Sequence, residues 1–471
     1  MSDGPVFSRG DHVELAVNLL AHLEGTGEPV IFDAGALHRY EPARGLWTPI
    51  ESTELSTVSQ SFAGAKLDTG RPLKIRASDI SGAVQLASAR ATRRDFFTGG
   101  PIGLAFANGF VEVTGDAIRM RPLSPENRAR FGYSFDFSAN GASKPWLQFL
   151  QDLFRDEDDR EERIAFLQEF FGACLLGVAP RFQRCVVGQG PGDDGKSTLG
   201  QIISAAMPSG SVCSVAPQAM SHEYRRAKLA GKLFNLVTEL PEADILESEA
   251  FKSIVTGDLI DARPIREAPF DFRPIAGHAF FANRLPATDD QTHGFWRRFV
   301  VVTFRRRFTE EPGHDPIIAS KLIASELPAV VAWLVAGAHR VMRTGRYTLP
   351  TSHAKALASW RRNADQVALF LSDRCAHAKH SRPTPDTACD WTRADELYRA
   401  YRTWCDTNGH RSMASNKFGA RMHLLALVSV KVSAGWFYPV KLLRNDEHDM
   451  GMTDFACPMS VDSREKSNGY N

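Results

Sequence analysis

Apolar residues along this chain fall into blocks of different period. Trp146, Phe149, Leu150 and Leu153, then Ile164, Leu167, Phe170 and Phe171, keep helical spacing on either side of the acidic run RDEDDREE. That run reads as a solvated turn. Cys185, Val186 and Val187 form a short apolar run of the buried-strand kind, and Leu199, Ile202, Ile203 and Ala206 return to one helical face. Two more buried strands are expected, one at Leu233, Phe234, Leu236 and Val237, the other in GHAFFANRLP. Strand, loop, helix and further strands predict a parallel α/β core over residues 181–310.

The flanks have other patterns. Residues 1–140 read as a small mixed α/β domain of short strands and helical pieces, with a hairpin around Thr114, Gly115 and Asp116, and 141–180 as a helical collar. Residues 311–360 make a helical segment and connector; its apolar run Leu327–Ala338 contains Pro328 and Gly337, is short for a bilayer, and reads as a core helix. In 361–445, Thr392 and Asp395 suggest a helix cap, and Leu397, Tyr401 and Trp404 stand at i, i+4, i+7. Phe418, Met422 and Leu425 mark another helix, followed by two strands around Ala434 and Gly435. Three helices and a hairpin are the order of a winged helix, in which Lys417, Arg421, Lys431 and Lys441 are placed to meet phosphates unless the domain only docks. Residues 446–471 read as a polar tail.

The loop between the first core strand and helix carries the chemistry. Gly190, Pro191, Gly192, Asp193, Asp194, Gly195, Lys196 and Ser197, followed by Thr198, satisfy G-x-x-x-x-G-K-[ST] after a strand and at the start of a helix. Glycines let the backbone curl around a triphosphate with its N–H groups inward, and the new helix adds its positive end. Lys196 is expected to bridge the β- and γ-phosphates of ATP, and Ser197 to bind Mg²⁺. Hydrolysis also needs a carboxylate at a neighbouring strand end. Glu239 is the candidate for the metal and the attacking water, with Glu242 just beyond it. Asn283 ends the next strand, where it either orients the water or makes a turn before Pro286. Arg297 and Arg298 precede the last strand, a position that suits an arginine finger crossing a subunit boundary, although an arginine pair alone is more often a surface ion-pair partner.

Composition narrows the setting. The 471 residues suffice for about three domains, and 43% hydrophobic with 24% charged content is that of an ordinary water-soluble chain. A net charge of +1 does not advertise a polyanion ligand, so any nucleic-acid site must come from local clusters of Arg and Lys. Seven cysteines with no CxxC pair suit a reducing compartment, and MSDGPVFSRGDHVE has no signal pattern, so a cytoplasmic location is expected. Cys375, His377, His380 and Cys389 have loose zinc spacing, but their proline-containing surroundings favour a polar linker.

Together GPGDDGKST, LFNLVTELPE, FKSIVTGDLIDARPIREAPFDFRPIAGHAFFANRLP and GFWRRFVVVTF resemble the superfamily 3 helicases of the satellite-phage and plasmid primase-helicase family, related to the poxvirus primase-helicase. The resemblance covers about residues 30–445 and is strongest between 185 and 305. It implies an AAA+-like P-loop ATPase core, assembly into a ring, usually a hexamer, and movement along single-stranded DNA at a fork. Position by position it implies Lys196 and Ser197 in the phosphate loop, Glu239 as the Walker B carboxylate, Asn283 as the sensor and Arg297 or Arg298 as the finger. It also implies a DNA-gripping hairpin at Ala262–Phe272, with Arg263, Arg266 and Arg273 against phosphates. Two departures stand out. Residues 1–140 are too short for the polymerase domain of primase-active members and lack an obvious acidic catalytic set, so primer synthesis is not assigned to this chain and a primase or other replisome protein is a candidate partner. Asp194 stands where the family often has Asn, and an extra carboxylate close to the phosphates is unfavourable unless it faces Mg²⁺ or solvent.

Two other classes share the loop. An ATP-dependent replication initiator would bind DNA with little unwinding of its own, and a small-molecule kinase would act without DNA.

Overall fold

The structure, a computed structural model, describes residues 7–25, 27–33, 35–139, 143–240, 248–265, 269–286, 288, 290–308, 315–378, 390–410 and 412–443. It divides into two compact units, one of Met1–Leu240, Glu249–Asn283 and Arg297–His353, the other of Pro241–Ser248, Arg284–Trp296 and Ala354–Asn471. The fold is mixed α/β, with a parallel sheet and helices in the first unit.

That sheet consists of β1 (Cys185–Gln189), β2 (Val212–Cys213), β3 (Phe234–Val237), β4 (Gly277–Ala282) and β5 (Phe299–Thr303). Their order is β5-β1-β4-β3-β2, and every neighbouring pair is parallel. Such strands are covered on both faces, so their sequences are continuously apolar instead of alternating. Register matches Cys185 with Phe299 and Gln189 with both Thr303 and Ala282, while Val237 pairs with Phe280. The chain therefore leaves β1, β3 and β4 at one edge of the sheet and enters β5 from the other.

One polar pair sits inside this apolar sheet. Asn235 in β3 is fully buried; its carbonyl accepts from Val215 N at 2.7 Å, and its amide donates to Val215 O at 2.9 Å and to His278 Nδ1 at 3.1 Å. Burial pushes the His278 imidazole down to about 3, so it serves as a neutral acceptor.

Two helices, Arg160–Leu175 and Ile318–Thr344, pack in the core of this unit. They cross closely because each presents a glycine to the other's backbone: a Cβ on Gly172 would strike Leu334 O, and one on Gly337 would strike Gln168 O. The second helix, 27 residues long, meets the length and composition of a membrane span. Val330, Val331, Leu334, Val335, Ala338 and Val341 are nevertheless buried in the core of this unit, as the sequence reading of a core helix expected.

The acidic run leading into Arg160–Leu175 is solvated only in part: Arg155, Asp156, Asp158 and Glu161 are exposed, whereas Glu157 and Asp159 turn inward to an arginine. Arg163 is 0% exposed, with Nη2 on Glu157 at 2.7 Å and on Ser352 Oγ at 2.9 Å, Nε on Asp159 at 2.6 Å, and Nη1 donating to Thr303 O at the end of β5. Burying an arginine costs solvation, and four acceptors converging from three segments offset it. Upstream, antiparallel Gly109–Val113 and Ile118–Arg121 form the hairpin expected around Thr114–Asp116, closed by Thr114 N on Ala117 O at 3.0 Å.

In the second unit, helices Gln366–Arg374, Ala394–Thr407 and Ser415–Leu424 precede a hairpin of Val430–Val432 and Gly435–Tyr438, the order the periodicity predicted. Leu397, Tyr401, Phe418 and Met422 form its core with Val367 and Phe370. The expected cap at Thr392 is absent: Thr392 lies in a short strand pairing with Tyr438 and its hydroxyl donates to Val440 O, while Asp395 binds Arg393 and Arg399.

Candidate functional site

Backbone geometry at the loop follows its sequence. The turn from β1 into the helix α1 (Lys196–Ala206) needs positive φ at Gly192 (106°), Gly195 (82°) and also Asp193 (51°), an uncommon conformation that Asp tolerates. Gly190 is required for a different reason, since a Cβ there would run into the Asp194 carboxylate and the Phe304 carbonyl. Lys196 is 5% exposed; its Nζ donates to Gly190 O at 3.0 Å and forms an ion pair with Asp194. Ser197 is exposed and Thr198 half-buried in the first turn of α1.

Asp194 does not face solvent, one of the two orientations in which a carboxylate near the phosphates would cost little. It is 3% exposed and points into the loop, where it accepts from Gly192 N at 3.2 Å and Lys196 N at 3.3 Å besides pairing with the Lys196 ammonium. Folding inward lets one carboxylate satisfy the loop's own donors.

Glu239 is exposed two residues beyond β3, and Asn283 is exposed directly after β4. Leu240 N donates to Phe281 O at 2.8 Å, which holds the chain carrying Glu239 alongside the end of β4. Because β4 lies between β1 and β3, the glycine loop, Asn283 and Glu239 emerge from three adjacent strands at the same edge. This carboxyl edge is where parallel sheets place ligand sites. Glu242 lies outside the described residues.

Arg297 and Arg298 are at the other edge. The length of β5 puts them roughly 15 Å from the glycine loop of their own chain, at about 3.3 Å per residue. Arg297 Nη2 donates to Gln183 Oε1 at 2.6 Å and its carbonyl accepts from Arg184; Arg298 is 8% exposed and its carbonyl accepts from Cys185 N at 2.7 Å. The half-buried Arg297 is the more accessible of the two.

A feature the sequence reading missed closes the loop from behind. After β5 the chain runs along it, with Phe304 N on Gln189 O at 2.7 Å and Phe308 N on Asp193 O at 2.9 Å, and the Arg306 guanidinium lies 4.5 Å over the Phe308 ring. The available signal was FRRRF directly after an apolar strand, but nothing local says which loop it would brace.

The expected hairpin is present before β4, where Ile260–Ala262 pairs antiparallel with Phe270–Phe272. Arg263 and Arg273 are exposed at its two ends, and Arg266 lies outside the described residues. Arg226 ties the hairpin down through Asp261 at 2.6 Å. In the second unit Arg421 is spent on Asp365, with Nε 3.0 Å from the carboxylate and Nη2 also on it, so it is not a free phosphate contact. Lys417 and Lys431 are exposed, and Lys431 stands opposite the exposed Trp436 on the hairpin. Of the loose zinc quartet, His380 and Cys389 lie outside the described residues, while Cys375 is buried in an apolar core that pushes its thiol up to about 12.

The donor set suits ATP with Mg²⁺: a glycine turn opening a helix, a buried ammonium, an exposed hydroxyl and an exposed carboxylate on a nearby strand end.

Comparison with known proteins gives partial matches. Residues 362–438 match a family described as poxvirus D5 protein-like, and residues 188–298, which run from the glycine loop to the arginine pair, match a family of unknown function. No curated protein matches the chain. Among solved structures, the apo structure of the NrS-1 C terminal region is similar at 11% identity and a TM-score of 0.47, covering 91% of this chain and 99% of that one. The A form apo structure of the same region gives 11% identity, a TM-score of 0.46, and coverage of 90% and 99%.

Proposed function

We propose that this protein is an ATP-dependent DNA helicase of the superfamily 3 type, with an AAA+-like core, that works as a ring in the replication of a phage, plasmid or integrated element. One observation carries the reading: the loop, Glu239 and Asn283 share one edge of the sheet, and Arg297 and Arg298 stand at the opposite edge. On this reading the arginine finger of each site, Arg297 or Arg298, comes from a neighbouring subunit. The similarity of residues 362–438 to poxvirus D5 proteins supports a role in replication.

Bound Mg²⁺ would neutralise phosphate charge. The loop amides and Lys196 would hold the phosphates, Ser197 and Glu239 would hold the metal, and Glu239 and Asn283 would polarise and orient the attacking water. Arg263, Arg266 and Arg273 would grip a DNA strand through phosphates, so binding is salt-sensitive and indifferent to sequence.

The reading is tested by measuring ATP turnover with and without single-stranded DNA, beside displacement of a labelled strand from a fork. Stimulated turnover with displacement is expected. Stimulation without displacement points instead to an ATP-dependent initiator, and indifference to DNA removes both readings. The shared site has its own test. Arg297→Ala lowers turnover by about 10³-fold with nucleotide binding intact, and mixing it with Glu239→Gln subunits, themselves inactive, restores activity. Failure of mixing to restore any turnover rules out an arginine supplied across the boundary.

A further inference from the structure

The carboxylate of Asp194 lies where an anion-binding loop is expected to receive phosphate. It takes the Lys196 ammonium and the amides of Gly192 and Lys196, three of the donors that the loop has to offer. Gly190 has no room for a side chain because this carboxylate fills the space beside it. At 3% and 5% exposure, Asp194 and Lys196 neutralise each other out of contact with water. A free nucleotide phosphate therefore meets a seat whose positive charge is already cancelled, and it must approach another anion in a poorly screened environment.

From this we infer that Asp194 is a specificity-determining residue that makes a divalent cation a condition of nucleotide binding itself, not only of hydrolysis. The inference rests on the nucleotide-site reading above. Phosphate displaces the carboxylate from Lys196; the displaced carboxylate then needs a cation, and a nucleotide carrying Mg²⁺ brings one. A metal-free nucleotide brings only more negative charge. Gly192 N and Lys196 N bind different oxygens of the Asp194 carboxylate, so an Asn at this position keeps an acceptor for one of them and removes the charge, and the metal requirement should vanish with that charge.

The test is equilibrium binding of a fluorescent ADP analogue to the full chain and to Asp194→Asn, each with Mg²⁺ and with EDTA, alongside thermal melting of the nucleotide-free proteins. Wild type should bind at least about tenfold more weakly in EDTA, a cost of ~1.4 kcal/mol. The Asp194→Asn variant should lose most of that difference by binding more tightly in EDTA, while melting at a lower temperature because Lys196 has lost its buried partner. A merely structural role would weaken stability and binding together. Wild type that binds equally well in Mg²⁺ and EDTA overturns the inference without need of the variant. So does a variant that binds no more tightly than wild type in EDTA, and in both cases the nucleotide site stands. If neither protein binds in Mg²⁺, the nucleotide-site reading itself falls, and the inference falls with it.

Discussion

Lys196→Ala is expected to reduce ATP turnover to background, a loss of at least about 10³-fold, because the side chain is the loop's only ammonium and transferring phosphoryl charge has no other cation from the loop to meet it. Phosphate release at saturating nucleotide checks this. The substitution has a second effect that must be separated from the first. Asp194 would be left buried without its partner, and the nucleotide-free protein should melt at a lower temperature. Combining Lys196→Ala with Asp194→Asn removes the stranded charge, so it should recover much of the stability and none of the turnover. Retained turnover in the single variant would take this loop out of the mechanism.

Arg163→Leu should cost roughly 3–5 kcal/mol, the range for removing one partner of a buried ion network. Asp159 would keep its charge and lose its cation, Glu157 would be left with only the exposed Arg305 at 3.6 Å, and Thr303 O would lose its donor; the two carboxylate side chains are 8% and 9% exposed. The midpoint of urea unfolding measures the loss. The same substitution should also impair nucleotide binding at a distance, since Thr303 is the last residue of β5 and the chain beyond it braces the glycine loop through Phe304 and Phe308. A change under about 1 kcal/mol would mean that the network is solvated in solution and that its charges behave as surface pairs.

Both predictions concern buried charges, and the sequence reading handled the two differently. Lys196 was recognised at once because the glycine spacing before it has a chemical meaning wherever it occurs after a strand. Arg163 was passed over because RDEDDREE looks like any solvated turn, and its partners Ser352 and Thr303 lie 189 and 140 residues away. Asp194 falls between the two. Its identity is plain in the sequence but its direction is not, since whether a loop carboxylate points outward or inward depends on how donors such as Gly192 N and Lys196 N are disposed after folding.

Local order was legible from the sequence alone. Period and punctuation gave β1, β3 and β4 as buried strands, α1 after the loop, and two helices and a hairpin at the C-terminal end, while the hairpin before β4 was implied by the family resemblance. These patterns report short-range backbone preference and the burial of single faces, which neighbouring residues decide. The tertiary structure decided the strand order β5-β1-β4-β3-β2, and with it the separation of Arg297 and Arg298 from Lys196 by the length of the sheet. It also decided which charges are buried: Asp194 with Lys196, Arg163 with Glu157 and Asp159, Arg421 with Asp365. A buried charge is tolerable only where folding brings partners to it: the carboxylates of Arg163 are close in sequence, but Thr303 O and Ser352 reach it, and Asp365 reaches Arg421, only through the fold, which no window of sequence contains.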